Sequence, residues 1–174
     1  WLFTSIILNQ YKLKHFIGII AYSGILVSIS LFFILGVEEL PYPENAIIFL
    51  NKKLQYPLSS IFLYGKSLGG VPATYLASIY PIAGLILQST LSDAKSMAKI
   101  IFPILPVKFF LSIKLDNLTR IRSIKSPLLI IHSKTDEMIP YFMAEKLYEL
   151  CPSTKKLISF DGPGHNGLIH EKGI

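Results

Sequence analysis

Three side chains in this 174-residue sequence have the types and spacing that nucleophilic acyl chemistry needs: Ser67, Asp136 and His165. Ser67 centres the run Gly65-Lys66-Ser67-Leu68-Gly69, a G-x-S-x-G pattern that holds a serine on a sharp strand-to-helix turn and exposes its hydroxyl. A side chain at 65 or 69 is expected to collide with the neighbouring strand or helix, while Gly70 and Ala73 let that helix lie close to the sheet. A serine hydroxyl at its ordinary pKa is a poor nucleophile, so it needs an imidazole base, and the base needs a carboxylate to fix its tautomer. Asp136 and His165 follow in that order, 136 − 67 = 69 and 165 − 136 = 29 residues further on. The Leu68 backbone N–H, at the positive end of the helix, is the expected donor to an oxyanion. The geometry implied is a Ser67 hydroxyl within about 3 to 4 Å of one His165 ring nitrogen, with Asp136 against the other.

Taken singly, each residue has a plainer explanation. Asp136 precedes Met138-Ile139-Pro140 and could simply form a turn, and His165 could be a surface loop histidine. Their joint placement at the ends of strands carries the argument. Asp93 is a competing acid, but it reads as the cap of the helix it precedes. Asp161 reads as shaping the turn before His165, His132 as a buried strand end, and His15 and His170 have no partner spacing. No residue reads as a metal ligand, and the single cysteine, Cys151, excludes an internal disulfide and a CxxC site. Tyr64 and Tyr141 are near enough to line a pocket, with core packing the default for both.

The elements that must position these residues follow from the apolar pattern. Ile61-Phe62-Leu63-Tyr64 reads as a strand stopping at Gly65, and residues 69–80 as a helix broken by Pro81. Residues 83–87 form the next strand, with a helix beginning at Ser92. Leu128-Leu129-Ile130-Ile131 is a third strand, followed by a loop over 133–140 and a helix over 141–150. A last strand, 156–160, feeds Asp161-Gly162-Pro163-Gly164-His165. An earlier helix starts at Pro43-Glu44 and ends near Tyr56-Pro57. Alternating strands and helices predict an α/β fold with a parallel sheet and a site at the carboxyl ends of its strands.

Composition sets the outer bounds. With 51% hydrophobic residues, 16% charged residues and a mean hydropathy of +0.50, the chain is too apolar for disorder and too short for two full domains. Lys and Arg exceed Asp and Glu by 17 − 11 = 6. The densest basic stretch, Arg120, Arg122 and Lys125, is interleaved with Ile121 and Ile124, and no nucleic-acid motif accompanies it, so no nucleic-acid partner is expected.

Residues 16–37 carry no charge; as a helix they would extend roughly 33 Å, the thickness of a bilayer core. Lys12 and Lys14 before them and Glu38 and Glu39 after them would leave the amino end cytoplasmic. The alternative is a pair of buried strands turning at Tyr22-Ser23-Gly24, favoured by β-branched Ile19, Ile20, Ile25, Val27 and Ile29. A cleaved signal peptide fits less well, since the run exceeds a normal apolar region and no small-x-small site follows it. The length favours the membrane helix, giving an apolar segment over 1–40 as an anchor and an α/β core over 41–174. The chain would then be membrane-associated through one span, and cytoplasmic otherwise. Its start at Trp1 reads as a processed product or a piece of a longer frame.

From about residue 60 to 168 the chain resembles the α/β-hydrolase superfamily, especially its depalmitoylase-like, serine aminopeptidase-like branch. The run from Ile61 through Gly70 looks like that branch's elbow. Gly84-Leu85-Ile86-Leu87-Gln88-Ser89 is similar to its next strand, residues 127–140 to its acid-bearing strand and loop, and residues 160–166 to its histidine loop. The resemblance implies a partial α/β-hydrolase fold, mostly parallel sheet flanked by helices. It implies Ser67 as nucleophile, Asp136 as acid and His165 as base, acting without a cofactor on a small-molecule ester or acylated substrate, often at membrane lipid. Two departures stand out: no His-Gly or Gly-Asn loop for a second oxyanion donor is recognisable before the elbow, and Ser133 occupies a position usually given to Gly. They motivate a second reading, a catalytically impaired or inactive hydrolase fragment attached to a membrane.

Overall fold

The computed structural model describes residues 3–5, 17–22, 43–101, 103, 115–162 and 164–166. Six strands form one sheet in sequence order: β1 (Phe3–Ser5), β2 (Ile17–Tyr22), β3 (Ile61–Lys66), β4 (Gly84–Gln88), β5 (Leu128–Ser133) and β6 (Lys155–Phe160). β1 is antiparallel to β2. From β2 onward every pairing is parallel, with Ile17 opposite Ile61, Phe62 opposite Gly84, Leu85 opposite Leu128 and Leu128 opposite Lys155. Parallel strands need crossovers, and helices supply them: α1 (Glu44–Ile48), α2 (Gly70–Ile79), α3 (Ala94–Ile101), α4 (Asn117–Arg120) and α5 (Phe142–Leu150).

The core lies on one face of this sheet. Ile61, Leu63, Leu85, Leu87, Leu128 and Ile130 are buried in alternation along β3, β4 and β5. They pack in one cluster with Ile47 of α1, Ala73, Leu76 and Ala77 of α2, and Ala144 and Leu147 of α5. On the other face of the sheet, a Cβ at Gly84 would come within 2.9 Å of the Phe62 ring.

Where elements begin and end follows local chemistry. Tyr80, just before Pro81, takes an extended conformation at φ −107° and ψ 136°, as the proline ring demands of its predecessor. Asp93 accepts the Ser96 N–H at 2.7 Å, so it does cap α3. The helix expected from Pro43 to near Tyr56 is shorter, passing after Ile48 into a π-helical turn over Phe49–Lys53 that keeps Leu50 in the core beside Ile47. Between β4 and α4 the chain leaves and returns at one place: Asp93 and Asp116 form an isolated bridge, Ala94 N–H bonds Leu115 O, and Asn117 N–H bonds Ser92 O.

The continuous membrane helix over residues 16–37 is overturned. Residues Ile17–Tyr22 form strand β2, paired in register with Ile61 through Gly65, and the remainder of that stretch lies outside the described residues. The reason is physical: a parallel strand inside a sheet reads as an uninterrupted β-branched run, and so mimics the hydropathy of a membrane span. Among the described residues no helix is long and apolar enough to cross a membrane.

Candidate active site

Ser67 sits where β3 stops. A single 3-10 turn, Ser67–Gly69, carries the chain from Lys66 into α2, and Ser67 holds φ +53° while almost wholly buried. Left-handed backbone in a non-glycine residue costs about 1 kcal/mol or more, so the surroundings must enforce it. They do so through two glycines. A Cβ at Gly65 would lie 2.5 Å from Gly70 Cα and 2.7 Å from Gly69 O, and one at Gly70 would lie 2.2 Å from Thr90 Cγ2. Thr90 in turn donates to Gly65 O at 3.3 Å, tying the elbow to the end of β4. The close approaches are therefore at Gly65 and Gly70. Leu68, whose N–H is the expected oxyanion donor, is the middle residue of the same turn.

Asp136 lies in the loop after β5. Its Oδ1 accepts the Met138 N–H at 2.9 Å and the Ile139 N–H at 2.8 Å, a local turn that aims the carboxylate inward. His165, in the loop after β6, donates from Nδ1 to Asp136 Oδ2 at 2.9 Å, and both side chains are fully buried. Burial acts to raise the Asp136 pKa, but the His165 hydrogen bond, the Ile139 and Met138 N–H groups and the His165 charge hold it below its ordinary 3.8.

Several contacts staple the acid loop to the histidine loop. Glu137 Oε2 accepts the His165 backbone N–H at 3.1 Å, Ser133 and Thr135 hydroxyls both donate to Gly162 O, and Lys134 N–H bonds Phe160 O at 3.0 Å. Ser133 thus becomes a link between the loops. Asp161 is exposed and lies 3.7 Å from Lys134 Nζ.

The three residues are not joined throughout. His165 Nε2 is buried without a hydrogen-bond partner, so no such bond links it to Ser67. The two loops nonetheless meet one residue away on each side, where Lys66 Nζ donates to Asn166 Oδ1 at 3.2 Å.

His132, read from sequence only as a buried strand end, proves to touch the site. Its Nε2 donates to Ile139 O at 2.8 Å and lies 3.4 Å from Asp136 Oδ2, while its ring meets Tyr141 edge-on. Burial pushes its pKa below the ordinary 6.5; the Ile139 carbonyl and Asp136 oppose that shift, and the His165 charge adds to it. The i, i+4 spacing of His132 and Asp136 was the available signal, but across a strand end that spacing does not imply contact. Glu137 gave no such signal, because its partner His165 lies 28 residues further along the chain. Tyr64 hydrogen-bonds the Gln88 side chain. His15 and His170 lie outside the described residues, and among the described residues no His, Cys, Asp or Glu cluster could hold a metal. A groove of about 500 Å³ lined by Phe62, Ile86, Pro127 and Leu129 sits at the amino ends of the strands, away from these groups.

With this geometry in hand, comparison with known proteins is decisive at the level of family. The model of the uncharacterised protein family UPF0227 matches residues 35–166. Human alpha/beta hydrolase domain-containing protein 17C is 35% identical over 109 residues, covering 63% of this chain and 32% of the relative. The chain belongs to the α/β-hydrolase family. A Saccharomyces cerevisiae protein named as an uncharacterized membrane protein is 35% identical over 119 residues, covering 65% of this chain and 42% of its own length. This chain spans about a third to two fifths of the curated relatives it matches. Among solved structures, an acetyl xylan esterase from Paenibacillus sp. R4 superposes with a TM-score of 0.64 at 18% identity, covering 75% of this chain and 48% of that one. The esterase domain of a Rhodothermus marinus protein gives 0.58 at 20%, covering 75% and 60%. Both share the fold.

Proposed function

We propose that this chain is a serine hydrolase that cleaves an ester or thioester through Ser67, His165 and Asp136. The observation that carries this reading is the buried Asp136–His165 pair at 2.9 Å, borne on a loop that touches the elbow through Lys66 and Asn166. The hydrolase names of the relatives and the esterase names of the structural neighbours support an acyl substrate.

In this mechanism Ser67 Oγ attacks the substrate carbonyl while His165 Nε2 takes its proton. Asp136 holds the Nδ1–H and stabilises the imidazolium, and the Leu68 N–H donates to the oxyanion. Collapse of the tetrahedral intermediate returns the proton from His165 to the departing alcohol or thiol and leaves an acyl-serine. Water, deprotonated by His165, then attacks the acyl carbon, releasing the carboxylic acid and restoring the Ser67 hydroxyl.

A fluorophosphonate probe tests this directly, because it needs an activated serine. Labelling is expected at Ser67, to vanish in Ser67→Ala and to fall roughly a thousandfold in His165→Ala. A folded, monodisperse sample with neither Ser67-dependent labelling nor p-nitrophenyl ester hydrolysis would instead be an inactive hydrolase fragment.

A further inference from the structure

We propose that His132 is a positioning residue for Asp136. Its imidazole, protonated at Nε2, ties the Ile139 carbonyl to the end of β5 and flanks the carboxylate, so that Asp136 stays aimed at His165. This rests on the serine-hydrolase reading above.

The geometry selects the tautomer. Nε2 lies 2.8 Å from the Ile139 carbonyl oxygen and 3.4 Å from Asp136 Oδ2. A lone pair there would face two oxygen acceptors at once, whereas an N–H donates to the carbonyl and points its positive end towards the carboxylate. That one bond closes the chain between residues 132 and 139 across Asp136. The same span presents the Met138 and Ile139 N–H groups to Oδ1, leaving Oδ2 for His165 Nδ1. Tyr141, its ring 5.9 Å away at an interplanar angle of 75°, packs against the imidazole and limits its rotation.

Space-filling alone does not explain a histidine here. His132 is fully buried, yet Nδ1 has no hydrogen-bond partner. An apolar side chain of similar size would fill the site without stranding that atom. What an apolar residue lacks is the donor to Ile139.

The wild-type chain gives the first test, with no variant required. Its ¹⁵N shifts at neutral pH should show His132 neutral with the proton on Nε2; a proton on Nδ1 overturns the proposal. A far-downfield proton from the His165 Nδ1–Asp136 bond supplies the second reading. In His132→Leu that proton should shift or vanish. Fluorophosphonate labelling of Ser67 should fall roughly ten- to hundredfold, with kcat reduced and KM for a p-nitrophenyl ester unchanged. His132→Gln, whose amide nitrogen can reach the Nε2 position, should restore most of both signals. Unchanged labelling and an unchanged downfield proton in folded His132→Leu would overturn the proposal, as would equal losses in the Leu and Gln variants at equal loss of thermal stability. Should the Leu variant not fold, His132→Asn decides: it is polar but too short to reach Ile139, so it should lose labelling, and full labelling overturns the proposal. If even the wild type is unlabelled, the hydrolase reading falls, while the tautomer and the downfield proton still judge this one.

Discussion

At Gly164 an added Cβ would fall 1.6 Å from Glu137 Oε2, inside the carboxylate that accepts the His165 backbone N–H. Glu137 is exposed and flexible, so the overlap is relieved by swinging it away, but the acceptor leaves with it. Gly164→Ala is therefore expected to lower Ser67 labelling roughly tenfold, as is Glu137→Ala. The double variant should be no worse than either single one, since both remove the same contact; additive losses in a labelling time course would refute the coupling. The buried titratable groups predict a stability profile as well. His132 has a lowered folded-state pKa, so as pH falls through 6.5 the unfolded chain takes up a proton that the native chain resists. Its stabilising contribution is thus complete above that pH and is lost progressively below it. Asp136, also lowered, contributes stability above 3.8 that disappears only in stronger acid, through its folded pKa. Urea midpoints at about pH 7.5 and about pH 5.5 should drop for wild type and drop less for His132→Gln; an equal drop would exclude His132 as the source.

Between elements, Gly65 and Gly70 make different demands. All three close contacts of a Cβ at Gly65 are backbone atoms of Gly69 and Gly70, so nothing can yield without moving α2 from β3. At Gly70 the obstruction is the Thr90 side chain. Gly65→Ala and Gly70→Ala should each destabilise by about 1 to 3 kcal/mol or more. Adding Thr90→Ala should recover much of the loss at Gly70, and none at Gly65. Thermal melts of the two pairs decide this; equal rescue at both positions would show that α2 and the sheet are less tightly coupled than their contacts imply.

For the molecule as a whole, the fate of the apolar amino-terminal run is the main test. β2 pairs along five residues with β3, which pairs on its other side with β4, so β3 is an interior strand and should open only with the whole fold. Native-state hydrogen exchange is expected to protect residues 17–22 alongside 61–66. Rapid exchange over 17–22 with slow exchange over 61–66 would remove β2 from the sheet.

Much of this was legible in the residues themselves. The apolar runs of β3 to β5, the proline stops and the G-x-S-x-G turn are local features. Local propensity and periodicity act within a few residues, so the element order and the positions of Ser67, Asp136 and His165 at strand ends could be read in advance. The resemblance to α/β hydrolases extended that reading to the family. What the tertiary structure decided depends on distance through space. Residues 17–22 are a strand because β3 offers a partner, and hydropathy alone cannot separate a parallel interior strand from a membrane span. Glu137 reaches the His165 backbone because loops far apart in sequence converge at the carboxyl ends of one sheet, a juxtaposition that no spacing along the chain encodes, whereas His132 meets Asp136 and Ile139 through the local turn after β5.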